Sequence, residues 1–301
     1  MCASCGIAEI DEMKLKKCAA CKSVLYCSDE CEADHRQQHE EACKRRAAEL
    51  RDEILFQQPE SNCFGDCPIC FLPLNLDATK SPSTTCCSKT ICNGCSFVSY
   101  LRNPLNFICP FCRHPVPKSE AEADLNLMKR VEKNDPGAMR QMGTTHYNEG
   151  DYSSAFEYWT KAAELGDAMA HSKLGVMYDR GEGVDKDEKK ALYHWEEAAI
   201  GGHPFARHSL AVIEMNNGRP ERGVKHFIIA ANLGNDLSMK ALWKCYAKGY
   251  IRKDDLTATL WTHQAAVNET KSSDREAAEE AEKMGVFFLD KLSRYSGGDT
   301  K

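Results

Sequence analysis

Cysteine carries the chemistry of this chain. Of 17 cysteines in 301 residues, 16 lie before position 113 and one, Cys245, lies after it. Fifteen of the early ones, with a single histidine, form short pairs: Cys2-x2-Cys5, Cys18-x2-Cys21, Cys27-x3-Cys31 and His39-x3-Cys43, then Cys67-x2-Cys70, Cys86-Cys87, Cys92-x2-Cys95 and Cys109-x2-Cys112. A C-x2-C pair on a tight turn points both sulfurs at one ion, and residues four apart do the same from one helix face. The start, Met1-Cys2-Ala3-Ser4-Cys5, lacks the basic and apolar run of a secretory leader, and nowhere do 18 apolar residues follow one another. A cytoplasmic or nuclear setting is therefore expected. In that reducing setting the pairs read as zinc ligands rather than disulfides. Sites closed by four thiolates, or by three thiolates and an imidazole, leave no open position for catalysis, so the metal is structural.

Within the first block, residues 28–43 read as helix. Cys27 and His39 would then lie about 18 Å apart along the axis and about 120° apart around it, so one ion cannot use both helical pairs. A compact wrap puts Cys2, Cys5, Cys27 and Cys31 on one zinc and Cys18, Cys21, His39 and Cys43 on the other. This spacing, with Tyr26 before Cys27 and the closing H-x3-C, resembles the MYND zinc finger over about residues 2–43. The Gly6–Lys17 loop is slightly long for that family, and His35 stands where an aromatic is more usual; it reads as a solvated helical histidine. The resemblance implies a protein-recognition platform, often for proline-containing peptides. Nothing after Cys43 resembles the methyltransferase domain that some relatives carry.

A charged helical connector runs from Lys44 to Gln58 and breaks at Pro59. The second block then reads Cys67-Pro68-Ile69-Cys70, Cys86-Cys87-Ser88-Lys89-Thr90-Ile91-Cys92-Asn93-Gly94-Cys95 and Cys109-Pro110-Phe111-Cys112-Arg113. The order of pairs resembles a RING finger of the variant with eight cysteines and no histidine. That resemblance implies a cross-brace, with Cys67, Cys70, Cys92 and Cys95 on one zinc and Cys86, Cys87, Cys109 and Cys112 on the other. The departure is the directly adjacent middle pair. It leaves open whether Cys86 or Cys87 is a poor ligand whose place Ser88 or Cys63 takes. The resemblance further implies a ubiquitin ligase that docks a charged ubiquitin-conjugating enzyme and performs no covalent chemistry itself. The docking positions would be Ile69 in the first knuckle, Pro110 in the last and Arg113 after the final cysteine, where planar donors could bridge two proteins.

Charge excludes other classes. The formal net charge is −6 with pI near 6.0, and fifteen thiolates against four divalent ions make it more negative still. A nucleic-acid binder needs clustered cations, and Lys44-Arg45-Arg46 is too short to supply them. No nucleophile with a base and no phosphate-cradling glycine loop stands out; Gly181-Glu182-Gly183 belongs to a repeat and lacks a preceding strand.

From about residue 120 the composition turns to alanine-rich helices. Ala138-x3-Met142-Gly143, Ala170-x3-Leu174-Gly175, Ala206-x3-Leu210-Ala211 and Ser238-x3-Leu242 open four units offset by 32, 36 and 32 residues. Each reads as helix, glycine-marked turn, helix, then a break at Gly166, Gly201, Gly234 or Asn268. Trp159, Trp195, Phe227 and Trp261 would fill one inter-helix slot, and no unit can bury its face alone, so the units stack into an α-solenoid. The second unit resembles a Sel-one-like repeat and the first a tetratricopeptide repeat. The scattered histidines read as surface residues and Cys245 as a buried apolar thiol. Ser273-x2-Glu276 signals a final helix with a polar outer face, capping the array before Phe287, Phe288 and Leu289 pack inward.

The expected architecture is thus two zinc-stabilised cross-brace modules followed by an all-α solenoid. It comprises a MYND-type finger (1–46), a helical linker (47–62), a RING-like finger (63–117), about four repeats (118–271), a capping helix (272–295) and a disordered tail (296–301). The cofactor is about four structural Zn2+ ions. Expected partners are proteins: a ubiquitin-conjugating enzyme, a client and proline-containing peptides, with neither membrane nor nucleic acid. Two functions fit, a RING-type ubiquitin ligase and a non-enzymatic scaffold.

Overall fold

A computed structural model describes residues 1–6, 14–104 and 108–285. The chain divides into two compact units, Met1–Gln57 and Gln58–Lys301.

The first unit is a small zinc module feeding one long helix. Strands β1 (Lys16–Lys17) and β2 (Leu25–Tyr26) pair antiparallel, with Lys16 opposite Tyr26. Helix α1 spans Asp29–Leu55. Ser28 starts it by accepting from the Cys31 amide, and Asp29, Glu30 and Glu32 in the first turn complement the helix dipole. Because α1 continues well beyond Cys43, the finger and the expected linker share one helix. Its distal part carries little apolar surface and is laced by Lys44–Glu40 and Arg46–Glu49 ion pairs.

The second unit begins with a zinc module that contains a 3-10 turn at Ala78–Lys80 and helix α2 (Asn93–Arg102). Among the described residues ten helices follow: α3 (Glu120–Val131), α4 (Pro136–Asn148), α5 (Tyr152–Glu164), α6 (Ala168–Arg180), α7 (Glu188–Ile200), α8 (Pro204–Asn216), α9 (Pro220–Asn232), α10 (Asp236–Ala247), α11 (Lys253–Glu269) and α12 (Ser273–Lys283). The pairs α4/α5, α6/α7 and α8/α9 pack tightly within repeats and more lightly between them, as a solenoid requires. Side-chain caps punctuate the series. Asp135, Asp151, Asp167, Asp187, His203 and Asn235 each accept from an amide in the first turn of the helix that follows.

Three of the four expected slot residues are buried: Trp159, Trp195 and Phe227. The two tryptophans lie against Gly143 and Gly175, where an added Cβ would meet the indole at 2.5 Å. Trp159 also donates from Nε1 to the Arg140 carbonyl at 3.1 Å. Trp261 is the correction, because it is 72% exposed. In the last unit the small residue that opens the slot (Gly143, Gly175 or Ala211) is replaced by Trp243, itself 50% exposed, so no small-residue gap receives Trp261. Helix α11 buries Leu256, Thr259 and His263 and leans on α9 more than on α10. Asn268 lies inside α11 rather than breaking it, and the left-handed residue after α7 is Gly202 (φ +81°), not Gly201.

The histidines also depart from expectation, since His203, His226 and His263 are buried. Helix α12 differs too. Its N-cap is Ser272, accepting from the Arg275 amide, one residue before the expected Ser273. Arg275, Ala278 and Ala281 face inward, and the last two pack with Phe97 and Tyr100 of α2. Helix α12 thus clasps the zinc module with its inward face and keeps the expected polar outer face, with Asp274, Glu276, Glu280 and Lys283 exposed. Phe287, Phe288, Leu289 and the 296–301 tail lie outside the described residues.

Candidate functional site

Four tight turns share one backbone pattern. In each, the amide following the last ligand donates to the first residue of the turn, and that first residue donates to a carbonyl further on. Lys22 bonds Cys18 and Cys18 bonds Val24; Phe71 bonds Cys67 and Cys67 bonds Leu72; Arg113 bonds Cys109 and Cys109 bonds His114. Lys22, Phe71 and Arg113 consequently sit at positive φ. This geometry turns two sulfurs toward a common point and frees amides to stabilise them.

The sulfurs converge into four groups whose ligand atoms all lie within 4.8 Å of one another. The groups are Cys2, Cys5, Cys27 and Cys31; Cys18, Cys21, His39 and Cys43; Cys67, Cys70, Cys92 and Cys95; and Cys86, Cys87, Cys109 and Cys112. Tetrahedral zinc with bonds of about 2.3 Å needs sulfurs about 3.8 Å apart. Cys18–Cys43 at 3.7 Å, Cys70–Cys92 at 3.8 Å and Cys87–Cys109 at 3.9 Å meet that demand. Backbone and hydroxyl donors poise individual thiols as thiolates. The Cys5 amide brings Cys2 down to about 6. At Cys21 the Ser23 hydroxyl and amide, with His39, outweigh burial and also give about 6. Cys67, bonded by the Cys92 thiol and by amides of Cys70 and Ile69, falls to about 4. The donor set and spacing fit four structural zinc ions.

His35 is not a freely solvated residue. Its ring stacks on that of His39 with centroids 5.7 Å apart, and its Nδ1 lies 3.0 Å from the hydroxyl of buried Tyr26. It steadies the ligand imidazole instead of replacing it.

The adjacent cysteines are accommodated by a shifted turn. Ser88 bonds Thr84 and Thr84 bonds Lys89, so Thr84 holds the place that a cysteine takes in the other three turns. Cys87 takes the fourth place and Cys86 the third. Thr84 Oγ1 lies 3.1 Å from Cys87 Sγ, and Cys86 Sγ lies 3.4 Å from that of Cys112. Ser88, at φ +55°, closes the turn. Cys63 stands apart from the group; burial pushes its thiol up to about 12, and its amide bonds the Gly202 carbonyl.

The second zinc module is seated along the solenoid edge made by the loops between repeats. Ser88 lies against Gly137, and Phe64 packs on His203 and Phe205. Gln58 accepts from Asn232, and Leu76 approaches Gly234. At the far end, Asn93 Nδ2 donates to the Arg275 carbonyl and Lys80 pairs with Glu279 at 2.7 Å. Gly94 is required there, because a Cβ would meet the Arg275 amide nitrogen at 2.7 Å. The Arg275 guanidinium, 5% exposed, donates to the carbonyls of Thr270, Leu72 and Pro73 and, at 3.5 Å, to Cys70 Sγ. It therefore ties α12 to both the first knuckle and its zinc ligand. Of the expected docking residues, Ile69 and Arg113 are exposed and Pro110 is half-buried; Phe71 and Phe111 beside them are exposed as well.

Comparison with known proteins fits this geometry. The MYND finger family matches residues 2–43. The Sel1 repeat family matches 136–167, 168–203 and 217–235. The chain is 35% identical over 152 residues to DAP3-binding cell death enhancer 1 of Rattus norvegicus, covering 37% of this chain and 30% of that protein. It is 36% identical over 165 residues to the Mus musculus protein of the same name, covering 42% and 32%. The chain thus spans about a third of the length of these curated relatives. Among solved structures, a Sel1 repeat protein from Oxalobacter formigenes aligns at 23% identity and a TM-score of 0.44, over 60% of this chain and 78% of that one. N-terminal zinc modules followed by a helical-repeat solenoid is the architecture of this protein.

Sequence reasoning missed three of these residues. Thr84 has no metal-ligand chemistry to advertise it. Arg275 is one charge among many in its segment, and only the three-residue stripe Arg275, Ala278, Ala281 distinguishes it. Gly94 sits inside a C-x2-C pair, where glycine reads as turn chemistry.

Proposed function

We propose that the chain is a zinc-built protein-interaction adaptor whose second zinc module acts as a RING-type ubiquitin ligase, docking a conjugating enzyme on Ile69, Pro110 and Arg113. The observation carrying this reading is that α12 and the solenoid edge hold one side of the module while Ile69, Phe71, Phe111 and Arg113 stay exposed. Exposed apolar residues on two metal-fixed turns form a rigid contact surface, and a cation between two knuckles can bridge to acceptors on a partner. The MYND-type finger and the solenoid would recruit clients. The name of the rodent relatives refers to binding of another protein, which agrees with an adaptor role.

Discharge of ubiquitin from a panel of charged conjugating enzymes tests the proposal, comparing wild type with a zinc-replete Ile69→Ala variant. The proposal expects acceleration by wild type that the variant loses. Absence of acceleration by a zinc-loaded protein would reject it in favour of a second reading, a scaffold without transfer activity. Contacts that fix the module from α4 to α12 favour that second reading, because a module that only positions partners gains from being rigid.

A further inference from the structure

Each of the first three solenoid units closes a slot between its two helices, and the last unit leaves its slot open. Gly143, Gly175, Ala211 and Trp243 each stand eight residues after the N-caps Asp135, Asp167, His203 and Asn235. Trp159, Trp195, Phe227 and Leu260 stand eight residues after Asp151, Asp187, Arg219 and Arg252, at the start of the second helices. In the first three units a small residue therefore pairs with a buried ring. In the last the sizes are exchanged, and both Trp243 and Leu260 are exposed. Helices α10 and α11 pack against each other far less than the two helices of any earlier unit, and α12, which follows them, packs on α2 instead.

Two independent features of α10 say what fits there. The first is an unpartnered aromatic face. Tyr246, one turn beyond Trp243, is exposed as well, and neither ring makes a hydrogen bond among the described residues, whereas Trp159 Nε1 is held by the Arg140 carbonyl. The second feature is charge. Residues 237–253 hold five cations and no carboxylate, in a chain of net charge −6. Lys240, Lys244 and Lys248 are four residues apart, which lines them up along the helix surface beside Trp243. Arg252 is paired with Asp255, but these three lysines are exposed and form no ion pair among the described residues. The helix dipole favours cations in the last turn alone, so it does not account for Lys240.

We infer that the α10–α11 slot docks an acidic amphipathic helix of a partner protein. Such a helix sets a small residue against Trp243, an apolar side chain against Leu260 and Tyr246, and carboxylates against the lysine stripe. The ring-on-small-residue packing of Trp159 on Gly143 and Trp195 on Gly175 is the same contact with the roles reversed. The chain's own residues 286–301 do not match this charge, since Asp290 and Asp299 are outnumbered there by Lys291, Arg294 and Lys301. The inference rests on the adaptor reading, deepens it by naming the partner's chemistry, and is independent of ligase activity.

The test uses the zinc-loaded full chain and a phage-displayed library of helical peptides randomised over Ala, Ser, Leu, Glu and Lys. Recovered peptides are expected to be net acidic, with Ala or Ser beside Leu on one face, and to bind more weakly as salt rises. They should slow hydrogen exchange in 239–250 and 256–264. Lys240→Glu/Lys244→Glu/Lys248→Glu should weaken them about tenfold or more, and so should Trp243→Ala, about tenfold, as loss of an aromatic anchor. Zinc content and helix content should stay those of wild type in both variants, because all four positions are exposed. Recovery of basic or uncharged peptides, or affinity unmoved by either variant, would overturn the inference. Binding of phosphatidylserine vesicles in place of acidic peptides would do the same. So would self-association of the chain alone that Trp243→Ala abolishes, since a second copy would then fill the slot. Acidic peptides that protect only other segments would overturn it while leaving the adaptor reading standing, whereas recovery of no peptide at all would count against both.

Discussion

Removing the Arg275 side chain should loosen the fold and the metal together. The guanidinium is buried and donates to three main-chain carbonyls, at 2.6 Å to Thr270, 2.7 Å to Pro73 and 3.2 Å to Leu72, besides the Cys70 sulfur. Hydrogen bonds to a charged group contribute about 1.5–3 kcal/mol each, but their losses do not add, and stranded buried acceptors dominate the cost. Arg275→Ala should therefore destabilise the second unit by about 3–5 kcal/mol. For a unit of this size that lowers Tm by roughly 10 °C. Cys70 would also lose a donor that favours its thiolate, so zinc at the Cys67, Cys70, Cys92 and Cys95 site should bind about 10–100-fold more weakly. Chelator competition with a colorimetric zinc indicator reads the second effect, and calorimetry the first. Arg275→Lys keeps the charge without the planar fork and should fall between. Gly94→Ala, which forces α12 from α2 without touching a ligand, should raise hydrogen exchange in α12 and spare zinc affinity. Unchanged zinc affinity and unchanged α12 exchange in Arg275→Ala would refute the reasoning.

Other expectations follow from burial and charge. Trp159→Ala should cost about 3–5 kcal/mol in urea unfolding, whereas Trp261→Ala should stay within about 0.5 kcal/mol; equal effects would contradict the corrected slot. Burial, then the charges of Lys173 and Arg140, holds the His203 imidazole down to about 3. It stays neutral in the folded chain while the unfolded chain takes a proton below about pH 6.5, so its contribution is complete above that pH and fades as pH falls toward 3. Between pH 7.5 and 5.5 this one group should remove about 1.4 kcal/mol. His203→Asn, which retains an acceptor for the Ala206 amide that His203 Nδ1 now bonds, should flatten that part of the profile in zinc-saturated buffer.

Much of this architecture is legible in sequence because its determinants are local. A C-x2-C pair and an i, i+4 pair each define half a metal site within five residues, and repeat spacing shows helices that must stack. What resisted reading depends on distant parts of the chain meeting. Trp261 looks like its counterparts in the repeat spacing, yet it is 72% exposed where α11 leans on α9. Arg275 acquires its role only beside Leu72 and Pro73, some 200 positions away. The adjacent Cys86 and Cys87 read as a defect until Thr84 is recognised as the start of the turn, a substitution visible only in backbone hydrogen bonding.

The whole account stands on four closed metal sites, and native mass spectrometry of the full chain counts them directly. Wild type should carry four zinc ions, and Cys86→Ser should lose one while the other three remain. Fewer than four ions in wild type, or four retained tightly by Cys86→Ser, would contradict the account.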